Sequence, residues 1–414
     1  MIDDKEIINI IVEQASASNG KLNSTDKIDG STYLIKDLGF SSVEFVVIFE
    51  RIQAQVNDRI NFIDLLMPNR SSYVDDLSIS QIISFLRKNP THENSSVTTD
   101  DPYINRRELI ETEDINLLEH SIRHQEYPEE QVNTSSQLCF LLSAPRSGST
   151  LLRKMIGCHP DVYAPMELHL MSYRNFKQRR EELGSQEHRH LLEGTIVARQ
   201  EVRGMKRSIS EAVEEMYVRD ERSVCQFYRE IDQHLSEKVL VDKTPTYAFS
   251  SNTLERIKRT FPQAKFIHLT RTPNAVIKSM IDSELGQLIR FQKTSGIKPN
   301  RFAEALWCLC ERNIRNSLKD ANDRTMNINY ESLVTDPEST MKKLHEFLGI
   351  TQSTEFDPYS NQSENSQEQV SNFAGDLKTY LRSSIDSKVA FEWKNFDSLN
   401  WLSPPTKNLL SVYD

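Results

Sequence analysis

Residues 137–157 read QLCFLLSAPRSGSTLLRKMIG, and the reading of this stretch decides the fold. Its first eight residues form a compact apolar run, as expected of a strand buried on both faces of a parallel sheet. The run passes directly into a turn containing Gly148 and then into a helical segment starting near Ser149. A helix beginning there leaves free backbone N–H groups and the positive end of its dipole facing outward, which makes an anion site. Gly148 permits close backbone approach to an oxyanion, Ser147, Ser149 and Thr150 add hydroxyls, and Arg146 adds a fixed charge. Standing alone, a Ser/Gly turn of this kind reads as a capped helix with nothing bound. The turn has neither the GxxxxGK[ST] of nucleoside triphosphatases nor a GxGxxG dinucleotide fingerprint, so an anion bound here needs a different loop chemistry.

Downstream, KVLVDKT (238–244) and AKFIHLTR (264–271) look like further buried strands, with helical segments such as SNTLERIKRTF (251–261) and NAVIKSMIDSEL (274–285) around them. Strands alternating with helices predict an α/β domain with a P-loop-like parallel sheet over 137–414.

Upstream, residues 1–90 predict a small all-α unit. DKEIINIIVEQAS (4–16), SVEFVVIFERIQAQV (42–56), INFIDLL (60–66) and SISQIISFLRK (78–88) carry apolar residues at helical spacing, a four-helix bundle in outline. Asp75, Asp76 and Ser78 offer N-terminal caps for the last helix. Residues 91–136 form a polar, acidic linker with a helical stretch inside it, LIETEDINLLEHSIRH (109–124).

Charge follows this division. The chain has 414 residues and a net charge of −10, with 13 acidic and 9 basic residues in 1–90 and 11 acidic and 3 basic in 91–136. The remainder is slightly basic, which suits an anionic ligand and gives no sign of nucleic-acid binding. No apolar run approaches the length of a membrane span, and MIDDKEIINI does not read as a secretory signal. The cysteines, 139, 158, 225, 308 and 310, are odd in number and form no CxxC ladder. They read as reduced thiols of a cytoplasmic protein, with no metal site expected.

In its APRSGSTLL stretch (144–152) the chain resembles the 5′-phosphosulfate loop of sulfotransferases that use 3′-phosphoadenosine 5′-phosphosulfate (PAPS). LTRTPNAVIKS (269–279) resembles that family's 3′-phosphate segment, an arginine followed eight residues later by a serine, here Arg271 and Ser279. VDKTPTY (241–247) resembles its Lys-Thr-Pro segment, and INYESLVTDPESTMKKLHEFLGI (328–350) its Tyr-Glu-x-Leu…Pro…Phe-Leu-Gly stretch. GDLKTYLRSSIDSKVAFEW (375–393) resembles the C-terminal segment that covers the cofactor, although a full GxxGxxK is missing, and it offers Gly375 and Lys378 as cofactor contacts. The resemblance implies PAPS as donor and PAP as product, bound by Arg146, Ser147, Gly148, Ser149, Thr150, Arg271, Ser279 and Lys378.

CHPDVYAPMELHLMSY (158–173) resembles the family segment that supplies the base for the acceptor, often a glutamate, and Glu167 fits that place. The Glu-x-His pattern with Leu170 resembles the branch that acts on carbohydrates and related acceptors. Sulfuryl transfer needs a group to take the acceptor proton, stabilisation of charge on the departing nucleotide, and in-line positioning. Glu167 serves the first and Arg146 with the loop amides the second. His169 is the rival base: were the segment extended, positions 167 and 169 would point the same way.

DLGFSSVEFVVIFE (37–50) resembles the acyl carrier motif Asp-Leu-Gly-x-Asp-Ser-Leu, whose serine receives 4′-phosphopantetheine. Alignment on DLG puts Ser42 at the modified position, at a helix start where a phosphodiester is electrostatically favoured. Ser41 replaces the family's aspartate and Val43 its leucine. A carrier joined to a sulfotransferase resembles modules of bacterial polyketide and olefin synthases, where a β-hydroxyl of a carrier-bound acyl chain is sulfated before a thioesterase hydrolyses and decarboxylates the product. The resemblance implies as partners a phosphopantetheinyl transferase, acyl-loaded carrier or polyketide synthase components, and a separate thioesterase, unless the sulfated product is the end point or the sequence is a fragment. Two other readings stay open: sulfation of a free lipid, sugar or natural product, and a non-catalytic scaffold that binds PAP.

Overall fold

The computed structural model describes residues 3–19, 28–38, 76–88, 108–122, 130–185, 188–282, 295–297, 299–357 and 402–410, with residues 40, 48, 49, 51, 52, 55, 65, 127, 385 and 387. The chain forms two compact units, the first spanning Met1–Asp101 and the second beginning at Pro102.

In the first unit, helices Asp4–Asn19 and Ile79–Lys88 contribute apolar faces at helical spacing. Ile7, Ile10 and Ile11 from one and Ile79, Ile82 and Leu86 from the other are buried together with Leu34, Phe40, Ile48 and Ile52. Of the expected caps, Ser78 makes a reciprocal box with Gln81: the Gln81 side chain accepts from Ser78 N at 2.8 Å and Ser78 Oγ accepts from Gln81 N at 3.3 Å. Asp76 accepts instead from the N–H groups of Ile35 and Lys36, at 2.8 and 2.9 Å. Asp37, the first residue of the DLG run, accepts from Tyr33 N at 2.7 Å. The segments expected as the second and third helices lie largely outside the described residues, as do Ser41 and Ser42.

The second unit is built on a five-stranded sheet in the order β2-β3-β1-β4-β5. The strands are β1 (Leu138–Leu142), β2 (Val162–Tyr163), β3 (Val239–Lys243), β4 (Lys265–Thr270) and β5 (Thr325–Asn329). All four pairings are parallel, as the apolar runs and intervening helices predict. The central strand β1 is buried at every position, and its side chains alternate between two cores. Leu138, Phe140 and Leu142 enter one core, with Tyr247, Phe266 and Trp307, while Cys139 and Leu141 enter the other, with Leu152, Ile267 and Leu344. The register sets Leu141 beside Lys243 and Leu142 beside His268. The carboxyl ends of β1, β3 and β4 therefore open on one edge, where α/β sheets bind ligands.

The helix expected within the acidic stretch runs Thr112–Ser121 and belongs to this second unit. Ile110, Ile115 and Leu118 are buried in the same core as Phe140. All five cysteines are free, and Cys308 and Cys310 are buried on the helix Pro299–Leu318. Among the described residues no helix is long and apolar enough to cross a membrane.

Candidate active site

The loop after β1 turns sharply because two of its residues adopt the left-handed conformation: Arg146 at φ 69° and Gly148 at φ 93°. A non-glycine residue in that region is held there by its surroundings and is a pointer to function. The helix Ser149–Gly157 starts immediately after Gly148, where the sequence predicts it. Ser147 is fully buried, and its Oγ finds no hydrogen-bond partner among the described residues. A buried, unpartnered hydroxyl in a turn that leads into a helix N-terminus suits an oxyanion.

The expected 3′-phosphate residues converge on this loop. Arg271 follows β4 directly, and Ser279 lies on the next helix, Pro273–Asp282. The Nε of Arg146 donates to Ser279 Oγ at 3.1 Å, and an η-nitrogen of Arg271 donates to the Arg146 carbonyl at 3.1 Å. The Arg271 guanidinium stacks on Tyr330, 4.3 Å from the ring centroid. The same ring packs against Gly148, where an added Cβ would fall 2.3 Å from two of its carbons. Tyr330 thus joins the two halves of the anion cradle. Five residues expected at the anion site, Arg146, Ser147, Gly148, Arg271 and Ser279, come together, with Ser149 and Thr150 opening the adjoining helix.

The acceptor-side residues meet the loop through Lys243, the last residue of β3. Lys243 Nζ is ion-paired to Glu167 Oε1 and donates to Thr150 Oγ1 at 3.3 Å. The other Glu167 oxygen is 3.1 Å from His169 Nε2, and His169 Nδ1 is 3.2 Å from Thr246 Oγ1. Burial by itself would raise the Glu167 carboxyl, but the charge of Lys243 and the hydrogen bonds from His169 and Lys243 hold it well below the usual carboxylate range. Glu167 and His169 do face one another, but not by the extended geometry that the alternation argument uses. His169 is left-handed, at φ 48°, and this kink turns its ring back onto the carboxylate.

Beneath this loop lies a buried carboxylate, Asp242. It accepts from Tyr228 at 2.6 Å, Tyr247 at 3.0 Å and Thr244 at 2.9 Å. Thr244 Oγ1 in turn accepts from Leu168 N at 3.3 Å, and the Tyr247 hydroxyl from Leu170 N at 3.1 Å. Burial raises the Asp242 carboxyl in spite of these donors.

The sequence assigns no role to Thr246 or Tyr330, although VDKTPTY and INYESL stand out as motifs. The signal available was their place in those motifs; the contacts themselves join residues 59 to 182 positions apart, which no local pattern reports. Gly375 and Lys378 lie outside the described residues.

The profile of the group described as the sulfotransferase family matches residues 139–354, a little over half of the chain. Among solved structures, the sulfotransferase domain of the Synechococcus PCC 7002 olefin synthase is similar with 28% identity and a TM-score of 0.61, covering 70% of this chain and 98% of that one. The sulfotransferase domain from the curacin biosynthetic pathway is similar with 29% identity and a TM-score of 0.59, covering 69% and 98%. Curated relatives include protein-tyrosine sulfotransferase 1 of Danio rerio, 27% identical over 53% of this chain and 54% of the relative, and nodulation protein NoeE of Sinorhizobium fredii, 25% identical over 62% and 60%. The chain thus spans only a little over half the length of these curated relatives.

Proposed function

This chain belongs to the sulfotransferase family, and on that premise we propose that it transfers the sulfuryl group of PAPS to a hydroxyl of an acyl chain tethered to a phosphopantetheine carrier, of the β-hydroxyacyl type. One observation carries the chemistry: Lys243 touches Thr150 of the anion loop and Glu167 of the acceptor side at once. A donor anion in the cradle and an acceptor hydroxyl beside Glu167 would therefore be neighbours.

PAPS supplies, when bound, a sulfuryl group activated by its link to phosphate. The residues that would hold it are the left-handed turn at 146–148, the helix N-terminus at Ser149 and Thr150, and the Arg271–Ser279 pair. As the acceptor oxygen bonds to sulfur and the sulfur–oxygen bond to phosphate breaks, Glu167 takes the hydroxyl proton. Arg146 and the loop amides meet the charge that gathers on the departing phosphate. Lys243 is shared between the two events. While it sits on Glu167 the carboxylate is a weak base; drawn toward the donor anion, it leaves a buried carboxylate whose proton affinity rises. His169, held between Thr246 and Glu167, orients that carboxylate.

The acceptor class rests on the likeness to the olefin synthase and curacin domains together with the DLGFSS run at 37–42. Phosphopantetheine on Ser42 belongs to the same reading, with a phosphopantetheinyl transferase, synthase components and a thioesterase as partners in the cytoplasm. The test is direct: load the carrier with 3-hydroxyacyl groups, add PAPS, and look by mass spectrometry for the sulfonate increment on the acyl chain. A tyrosyl peptide, the acceptor class named for the zebrafish relative, and free hydroxylated lipids and sugars run alongside. Sulfation of one of those in place of the loaded carrier reassigns the acceptor; PAP binding without transfer to any of them leaves the scaffold reading.

A further inference from the structure

The loop that carries Glu167 and His169 is gripped from behind by a buried arginine outside every recognised motif. Arg179 lies on the helix Phe176–Leu183, and its side chain is 1% exposed. Its Nε donates to the carbonyls of Leu168 and His169, at 3.2 and 3.1 Å. One η-nitrogen donates again to Leu168, at 2.9 Å, and to Leu191 and Leu192, at 3.2 and 3.3 Å. The other is ion-paired to Glu214 at 2.9 Å. Glu214, equally buried, is anchored by Arg199 at 2.6 Å and Thr195 at 3.0 Å. The guanidinium is thus fixed in plane and position before it meets the loop.

What it holds is an unfavourable conformation. His169 is left-handed, a conformation that a residue with a Cβ adopts only when its surroundings hold it there. Neither the Leu168 nor the His169 carbonyl takes a backbone N–H among the described residues, and buried carbonyls need a partner. Arg179 satisfies both with one rigid fork, a task for which the three-donor ammonium of lysine lacks the shape. Gly194 lets the start of the helix Glu193–Arg203 come against the same loop: a Cβ there would fall 2.1 Å from the Glu167 carbonyl oxygen.

We propose that Arg179 is a positioning residue for sulfuryl transfer: by holding the Leu168 and His169 carbonyls it fixes the kink that points the His169 ring at the Glu167 carboxylate, whose other oxygen pairs with Lys243. It touches neither substrate and acts through Glu167, so the inference rests on the role assigned to that residue above. A purely structural arginine would be felt as lost stability alone. A positioning residue is felt in turnover, because misplacement by an ångström costs on the order of a hundred-fold in rate.

Two readouts test this in the full chain. In the first, Arg179→Lys keeps PAP affinity within about twofold while kcat falls by roughly a hundred-fold. The double variant Arg179→Lys/Glu167→Gln is then no slower than Glu167→Gln alone, because both changes remove one function. Full turnover in Arg179→Lys, or losses that multiply in the double variant, overturns the proposal. The second readout needs no turnover. With histidine rings labelled at Cε1, the His169 resonance shifts in Arg179→Lys while those of His159 and His345 stay in place. An unmoved His169 resonance overturns the proposal. If no acceptor is ever sulfated, the functional reading falls and the resonance still decides the positioning claim. Should Arg179→Lys not fold, Glu214→Gln keeps the guanidinium and loosens its anchor; a folded Glu214→Gln with unmoved His169 resonance and full turnover refutes it equally.

Discussion

Gly148 and Tyr330 are packed so closely that a Cβ on the glycine would lie 2.3 Å from two carbons of the tyrosine ring. The contact joins the turn after β1 to the residue that follows β5, and it makes the anion loop depend on an aromatic ring 182 residues away. Gly148→Ala has no relief by backbone adjustment, since the residue is also left-handed, which by itself costs roughly 1–2 kcal/mol. PAP affinity in this variant should fall by roughly tenfold or more, the equivalent of 1.4 kcal/mol, with the sheet intact. Titration calorimetry with PAP reads this, and unchanged affinity would mean that the loop is not the nucleotide site.

In the proposed mechanism Arg146 and Arg271 would meet the donor at points with different charge histories. Charge on the departing phosphate grows in the transition state, so Arg146→Ala should lower kcat by about 10²–10³ with a smaller effect on PAP binding. A 3′-phosphate carries the same charge throughout, so Arg271→Ala should act mainly on PAP affinity. Arg271→Lys should restore little, because the guanidinium both stacks on Tyr330 and donates to the Arg146 carbonyl. Equal binding losses and unchanged turnover in both alanine variants would argue against this division of labour.

Glu167→Gln should retain PAP affinity and lose about 10²–10⁴ in turnover, the usual worth of a positioned base. His169→Ala should lose less. A dead His169→Ala beside an active Glu167→Gln transfers the role to the histidine.

The ion pair between Lys243 and Glu167 predicts a shift in the pH profile with a definite sign. The Glu167 carboxyl is held below the usual carboxylate range, so in the wild type it stays ionised through mildly acidic pH. Its contribution to stability is likewise present at neutral pH and is lost only as pH falls through the depressed value. Without Lys243, burial pushes the carboxyl up and only His169 remains to oppose it. In Lys243→Met the acid limb of the normalised kcat/KM profile should therefore move to higher pH. A limb that stays in place or moves lower contradicts the pairing.

Ser42, in register with the DLG run, should accept 4′-phosphopantetheine when the chain is treated with a phosphopantetheinyl transferase and coenzyme A. Ser42→Ala should abolish the mass increment and Ser41→Ala should not. The opposite pattern moves the attachment site by one residue, and no increment in the parent chain removes the carrier reading.

The parallel sheet and the turn from β1 into the next helix were legible in the sequence because both are written locally. Five consecutive apolar residues of β1 need burial on both faces, and Gly148 after them marks the turn into the next helix. The placing of Arg271 at the end of β4 and of Ser279 on the helix that follows was legible for the same reason, as both belong to one strand–helix unit. Tertiary structure alone decided how the parts combine. Parallel register put Lys243 at the carboxyl edge beside the loop of β1, and so gave Glu167 a cation that lowers its proton affinity. The kink at His169 depends on an arginine, a glutamate and a glycine drawn from three helices, none of which is marked by spacing or motif. Composition and periodicity report which side chains must be buried; which buried charge faces which carbonyl depends on contacts between residues distant in sequence, and only the folded chain specifies those.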